Sequence, residues 1–195
     1  MDPHSDVAAF ILAGGRSTRM GTDKAFVTFE GRTLLARALN VARSVTSDVR
    51  IVGDPVKFAP FAPVVEDIVP GCGPLAGIHA ALRASTAEFN LILAVDMPFV
   101  SPALLHFLIS RAEGSASTVT VPRSARGWQP LCAVYRLQFA DAAEKALHAG
   151  RYKIDALFTP LETQAIEEQD LERTGFSASM FRNLNTPEEL AQARE

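Results

Sequence analysis

The stretch Val7–Ala25, "VAAFILAGGRSTRMGTDKA", decides how the rest of the chain is read. Its opening run, Val7-Ala8-Ala9-Phe10-Ile11-Leu12, is apolar without alternation, the pattern of a strand covered on both faces of a parallel sheet. Gly14 and Gly15 follow, removing side chains where the chain leaves the sheet, so that backbone N–H groups can approach an anion. Arg16, Arg19 and Lys24 then supply charge, arginine for planar two-pronged contact and lysine for a point contact on phosphate. A polyphosphate fits this combination. A tight turn followed by solvated charge is the plainer alternative, and it accounts for the glycines alone. The segment is not a GxxxxGK[ST] loop, because Gly21 is followed by Thr22-Asp23-Lys24, and it is not GxGxxG.

Working outward, short β-branched runs alternate with amphipathic stretches, which predicts a Rossmann-like α/β fold: a single-domain three-layer sandwich around a mainly parallel sheet. Leu34, Leu35, Ala38, Leu39, Ala42 and Val45 recur at helical spacing after the basic loop. Val49–Gly53 is a second strand, and Pro63–Val65 is a short third one before Glu66 and Asp67. In "PGCGPLAGIHAALRAS" a glycine-rich loop opens a helix at Pro74, giving a second helix N-terminus where an anion could bind. "FNLILAVDMPF" reads as the most buried strand, stopping at Asp96 because Pro98 blocks continuation. Leu12-Ala13-Gly14, Asp67 and Asp96 would then share the sheet edge where ligands bind in parallel α/β folds.

Strands at Thr118–Val121 and Leu131–Tyr135 flank the basic loop "PRSARGWQ", which carries the only tryptophan, Trp128, read as packed rather than stacked on a ligand. A helix spans Phe139 to Leu147 and ends at Gly150. In "NLNTPEELAQARE", Thr186, Pro187 and Glu189 form a capping box for a tail helix.

The chain has 195 residues, 48% hydrophobic and 21% charged, enough for one substantial core. One domain over residues 1–195 is expected, with residues 1–6 flexible. A net charge of −3 argues against a general nucleic-acid binder. No stretch approaches the roughly 20 apolar residues that span a bilayer, and no signal peptide is evident, so no membrane partner and a cytoplasmic location are expected. Cys72 and Cys132 read as reduced thiols, and His4, His79, His106 and His148 have no ligand spacing.

"LAGGRSTRMGTDKA" resembles the LAGGxSxRMGxDK signature of the MobA-type nucleotidyltransferases, the molybdenum cofactor guanylyltransferases. "PGCGPLAGI", "AVDMPFV" and "NLNTPEEL" agree in order, so the resemblance covers Ile11 to Leu190. It implies GMP transfer from GTP to the terminal phosphate of molybdenum-bound molybdopterin, with molybdoenzymes or cofactor-delivery proteins as recipients of the product. It also implies that Leu12, Ala13, Gly14 and Gly15 meet the nucleotide through their backbone, that Arg19 and Lys24 hold the triphosphate, and that Asp67 and the loop Gly73-Pro74-Leu75 contact the nucleotide. Asp96 matches the Mg²⁺ ligand, and Arg151, Lys153, Asn183 and Asn185 match groups that receive the pterin. Where some members carry an asparagine on the nucleotide, this chain places Val52.

A lone carboxylate suffices for Mg²⁺ when a triphosphate supplies other ligands. The attacking phosphate monoester is already largely dianionic, its second pKa being about 6, which explains why no catalytic His or Ser stands out. Three competing readings remain. The related cytidylyltransferases show LAAG and lack GPLAG; sugar-1-phosphate nucleotidyltransferases follow with GTRL in longer chains; a non-catalytic nucleotide or cofactor escort would not need Lys24 and Asp96.

Overall fold

In the computed structural model, which describes residues 6–14, 23–184 and 189, β1 (Val7–Leu12) is buried along its whole length. It pairs in parallel with β4 (Asp48–Val52) on one side and β6 (Phe89–Ala94) on the other. Between β1 and β4 come a hairpin of β2 (Thr28–Phe29) with β3 (Arg32–Thr33), and the crossover helix α1 (Leu34–Arg43). The one-turn helix α2 (Pro55–Phe58) leads to β5 (Val64–Val65), and α3 (Pro74–Ala84) carries the chain back across to β6.

Beyond β6 lie α4 (Pro102–Glu113), β7 (Val119–Ser124), β8 (Gly127–Trp128), β9 (Cys132–Arg136), α5 (Phe139–His148), β10 (Thr163–Glu167) and α6 (Glu168–Arg173). The sheet runs β10-β7-β9-β6-β1-β4-β5, with β8 paired to β7. Only β8 and β9 pair antiparallel to their neighbours in it. Successive strands go to one side of β1 and then the other, so strand order reverses beside β1, and in open α/β sheets that reversal opens a crevice outside the carboxyl ends.

The period-2 alternation of β1 divides its side chains between two cores. Val7, Ala9 and Ile11 pack with Leu35 and Leu39 of α1 and Leu104 and Leu108 of α4. Ala8, Phe10 and Leu12 pack with Leu75 and Ile78 of α3 and Ala140 and Ala143 of α5. These two cores are the outer layers expected from the sequence. Each fully buried side chain such as Phe10 or Ile11 stabilises by about 1.5–3 kcal/mol relative to exposure. The helix starts follow local chemistry: Thr33 and Ser101 accept hydrogen bonds from Ala36 and Leu104 N–H at 3.2 and 3.3 Å, and Pro102 occupies the first turn of α4.

Several expectations shift. β4 begins at Asp48 and ends at Val52, β7 extends to Ser124, and β9 runs Cys132–Arg136. The β2–β3 hairpin was not expected. Its turn residues Glu30 and Gly31 both have positive φ, 47° and 76°, which suits a tight hairpin turn but lacks the Asn-Gly or Asp-Gly signal. Asp6, expected in a flexible start, is tied down: its carbonyl accepts from Phe89 N–H at 3.1 Å and its Oδ1 from Glu88 N–H at 3.1 Å. Residues 1–5 and, apart from Glu189, the tail helix lie outside the described residues.

Candidate active site

The carboxyl ends of β1, β4, β5 and β6 are laced together just past the ladder. Ala13 and Gly14 N–H both donate to Val52 C=O, at 3.0 and 3.1 Å; Val95 N–H donates to Leu12 C=O at 3.2 Å, and Gly53 N–H to Val65 C=O at 3.0 Å. The strands close up tightly here. A Cβ on Gly53 would lie 2.8 Å from the Phe58 ring, so only glycine fits without displacing α2.

This lacing corrects part of the sequence reading. The amides of Ala13 and Gly14 are committed to Val52 and are not open to a phosphate in this state. Val52 has no polar side-chain atom, is 2% exposed and accepts both of these hydrogen bonds through its carbonyl. Leu75, expected at the nucleotide, is fully buried under β1. The exposed part of its loop is instead Gly73, whose φ of 73° turns the chain into α3 with no side-chain cap on the helix N-terminus. Gly15, Arg19 and Asn185 lie outside the described residues.

What the fold does bring together is Lys24 and Asp96. They are 72 positions apart, yet Lys24 Nζ lies 3.3 Å from Asp96 Oδ2, with side chains 26% and 16% exposed. Asp96 lies in the turn that ends β6, and its carbonyl accepts from Leu184 N–H at 2.9 Å, which seats Asn183 beside it. Asn183 Oδ1 is buried without a hydrogen-bond partner among the described residues. Asp96 is the residue here that could hold a divalent cation. Among the described residues no three His, Cys, Asp or Glu side chains gather around one point, so such a cation would take its remaining ligands from phosphate oxygens and water, as Mg²⁺ commonly does.

Asp67, just past β5, presents a different environment. Its Oδ1 is buried with no partner among the described residues, and burial pushes its carboxyl pKa above the ordinary value. Gly77 of α3 keeps the space open: a Cβ there would lie 3.3 Å from Leu12 Cδ2, 3.6 Å from Val52 Cγ1 and 3.7 Å from Asp67 Oδ1. Gly77 was not singled out from sequence; a glycine inside an otherwise good helix was the available signal.

The basic turn after α5 follows the helix that packs on α3, while Asn183 precedes Leu184 of the other core. Arg151 is exposed, Lys153 pairs with Asp155 at 3.3 Å, and Cys72 in the loop before α3 holds the Tyr152 phenol above its ordinary pKa. Trp128 is packed, edge-on to Phe158 at 5.2 Å with the Arg123 guanidinium over its ring at 5.0 Å. A separate crevice of about 560 Å³ opens at the β7–β10 end between Arg123–Ala125 and Glu167–Glu172; among the described residues its lining includes none of the expected site residues.

A mainly parallel sheet whose carboxyl edge gathers a lysine, a strand-end carboxylate and an uncapped helix N-terminus defines an α/β protein built to handle nucleotides. Residues 9–165 match the MobA-like NTP transferase domain, and the chain belongs to that family. It is 36% identical over 190 residues to the molybdenum cofactor guanylyltransferase of Desulfosudis oleivorans, covering 96% of this chain and 94% of that one. The crystal structure of molybdopterin-guanine dinucleotide biosynthesis protein A from Archaeoglobus fulgidus superimposes with a TM-score of 0.83 at 29% identity, over 95% of this chain and 96% of that one. The 2-C-methyl-D-erythritol 4-phosphate cytidylyltransferase of Thermus thermophilus shares the fold, with a TM-score of 0.68 at 20% identity, over 95% and 98% of the two chains.

Proposed function

We propose that this protein transfers GMP from GTP to the terminal phosphate of molybdenum-bound molybdopterin, releasing pyrophosphate and forming molybdopterin guanine dinucleotide. The observation that carries this reading is the meeting of Lys24 and Asp96 at the crevice beside β1, in a chain 36% identical to a named guanylyltransferase.

Lys24, with Arg19, meets the β- and γ-phosphates, so that positive charge faces the pyrophosphate as it leaves. Asp67 and the Gly73-Pro74 turn bound the nucleotide on the α3 side. Arg151 and Lys153 receive the pterin phosphate, and Asn183 and Asn185 contact the pterin substrate. The attacking phosphate oxygen carries negative charge at neutral pH, so no general base is required and the protein acts by bringing two anions together. Asp96 would hold Mg²⁺, which when bound supplies charge neutralisation at the phosphates.

One nucleotidyltransferase domain over residues 1–195 suffices for this chemistry. Among the described residues no helix is long and apolar enough to cross a membrane. The cytoplasm is the setting we assign, with molybdoenzymes or cofactor-delivery proteins receiving the product; the two free cysteines accord with it.

Pyrophosphate release measured with molybdenum-loaded molybdopterin and GTP, CTP or GTP plus a sugar 1-phosphate tests the proposal. Release with GTP and molybdopterin alone is expected. Release only with CTP, or only with the sugar phosphate, would assign a different transferase, and binding of GTP and pterin without release would assign an escort.

A further inference from the structure

Lysine is a poor device for holding charge at one point, because its four-carbon stem carries about 2 kcal/mol of rotamer entropy that fixing must overcome. What holds Lys24 begins one residue earlier. Asp23 Oδ1 accepts from Ala25 N–H at 3.2 Å, capping the 3-10 turn Lys24–Phe26, while its Oδ2 accepts from Lys57 Nζ at 3.0 Å. Ala25 is fully buried beneath the turn, and the Phe26 ring stacks on Phe58 at 5.9 Å and meets Phe61 at 5.8 Å. Lys57 in turn sits on α2, anchored where Asp54, just past β4, accepts from Val56 N–H at 2.9 Å and where Phe58 fills the space left by Gly53. A line of contacts thus runs from the end of β4 through α2, Lys57 and Asp23 to the backbone of Lys24, and ends at Asp96 beyond β6. Asp23 holds Lys57 above its ordinary pKa.

Lys57 and Asp23 are 50% and 24% exposed. An ion pair with that much solvent contributes about 0–1 kcal/mol to folding. Its geometry, by contrast, bears directly on where Lys24 stands. We infer that Asp23, fixed by Lys57, is the positioning residue for Lys24: the pair aims the lysine at the triphosphate and touches none of the reacting atoms. The inference rests on the proposed reading in which Lys24 meets the phosphates of GTP.

The test combines calorimetric GTP titration, pyrophosphate-release kinetics and thermal melting for wild type, Lys57→Met, Lys57→Arg, Asp23→Ala, Lys24→Met and the double variant Lys24→Met/Lys57→Met. A misplacement of 1 Å can cost about 100-fold in rate, so a partial displacement of Lys24 in Lys57→Met should lower kcat/KM for GTP about 10-fold. Asp23→Ala, which also removes the cap, should lose more. Lys57→Arg should restore most of the activity, and the melting temperature of Lys57→Met should stay within about 4 °C of wild type. In the Lys24→Met background, Lys57→Met should have no further effect, because it acts through the lysine it positions. Wild-type kinetics in Lys57→Met, or the same fold loss in both backgrounds, would overturn the inference while leaving the guanylyltransferase reading in place. A wild type that neither binds GTP nor releases pyrophosphate would overturn both.

Discussion

Asp67 and Asp96 are the same residue type at the same sheet edge, just beyond β5 and β6, and the fold treats them in opposite ways. Asp96 stands against a lysine, partly open to solvent. Asp67 has an oxygen sealed off with no partner among the described residues, beside Leu12, Val52 and the bare backbone of Gly77. A buried acceptor without a donor costs stability until something supplies the donor. The edge is therefore divided: its β6 side pairs a carboxylate with a lysine, and its β5 side holds an unmet hydrogen-bonding demand that a bound ligand can satisfy. Residue type does not make this division. The elements packed around each carboxylate do.

The largest expected effect tests the charged side. Asp96→Asn keeps the shape of the side chain and should leave the melting curve near that of wild type, but it should lower pyrophosphate release from GTP and molybdopterin by about 100- to 1,000-fold. Turnover close to wild type would remove Asp96 from the chemistry and erase the contrast with Asp67.

Asp67→Asn tests the other side, with the opposite balance. Because burial raises the Asp67 pKa, the folded state holds its proton more tightly than the unfolded state does. The ionised carboxylate therefore costs stability at neutral pH, and that cost fades as pH falls through the folded pKa toward the unfolded one. The ligand-free Asp67→Asn protein should be more stable than wild type at pH 7, by up to about 1 kcal/mol in urea unfolding, while binding GTP more weakly. A variant that is both less stable and unchanged in GTP binding would make Asp67 a structural residue.

The smallest effect lies away from the edge, where α3 packs on α5. His79 is 2% exposed, with Nδ1 unpartnered among the described residues, and Nε2 accepts from Arg83 Nε at 3.4 Å. Arg83 itself bonds Asp141 and Glu144 at 2.8 and 2.6 Å, and Glu144 Oε1 lies 3.8 Å from His79. Burial lowers the His79 pKa, against an opposing pull from Glu144. The unfolded chain then binds the extra proton first, so this site should lose stability as pH falls from about 6.5, the ordinary histidine value, toward the lowered folded pKa. Urea unfolding between pH 5 and 8 should show a shallower acid-side decline for His79→Leu than for wild type. Equal slopes would mean that His79 does not couple the α3–α5 contact to pH.

How far the sequence was legible differs between these regions. The runs at β1 and β6 were readable because a strand buried on both faces has an unbroken apolar signature, and Asp96 was readable because Pro98 ends the strand beside it. The edge strand β10, with only Ala165 and Ile166 apolar, left almost no signature, nor did the Glu30-Gly31 turn, whose residues are not the usual ones. Within the site, Lys24 and Asp67 were visible as residue types. The interior placement of Val52 and Leu75 was not, because a strand end or helix start exposes one face and buries the other, and periodicity over one or two residues cannot say which.

By itself the sequence determined the alternation of strands and helices, the glycines after β1, the family and the carboxylates at strand ends, since all of these follow from local spacing and residue chemistry. Only the tertiary structure decided that the Ala13 and Gly14 amides go to Val52, that Lys57 holds Asp23, that Lys24 meets Asp96 and that Asp67 Oδ1 has no hydrogen-bond partner among the described residues. The physical reason is that hydrogen-bond partners depend on which strands become neighbours and in what register. That choice is made by packing two cores against one sheet, from residues far apart in the chain.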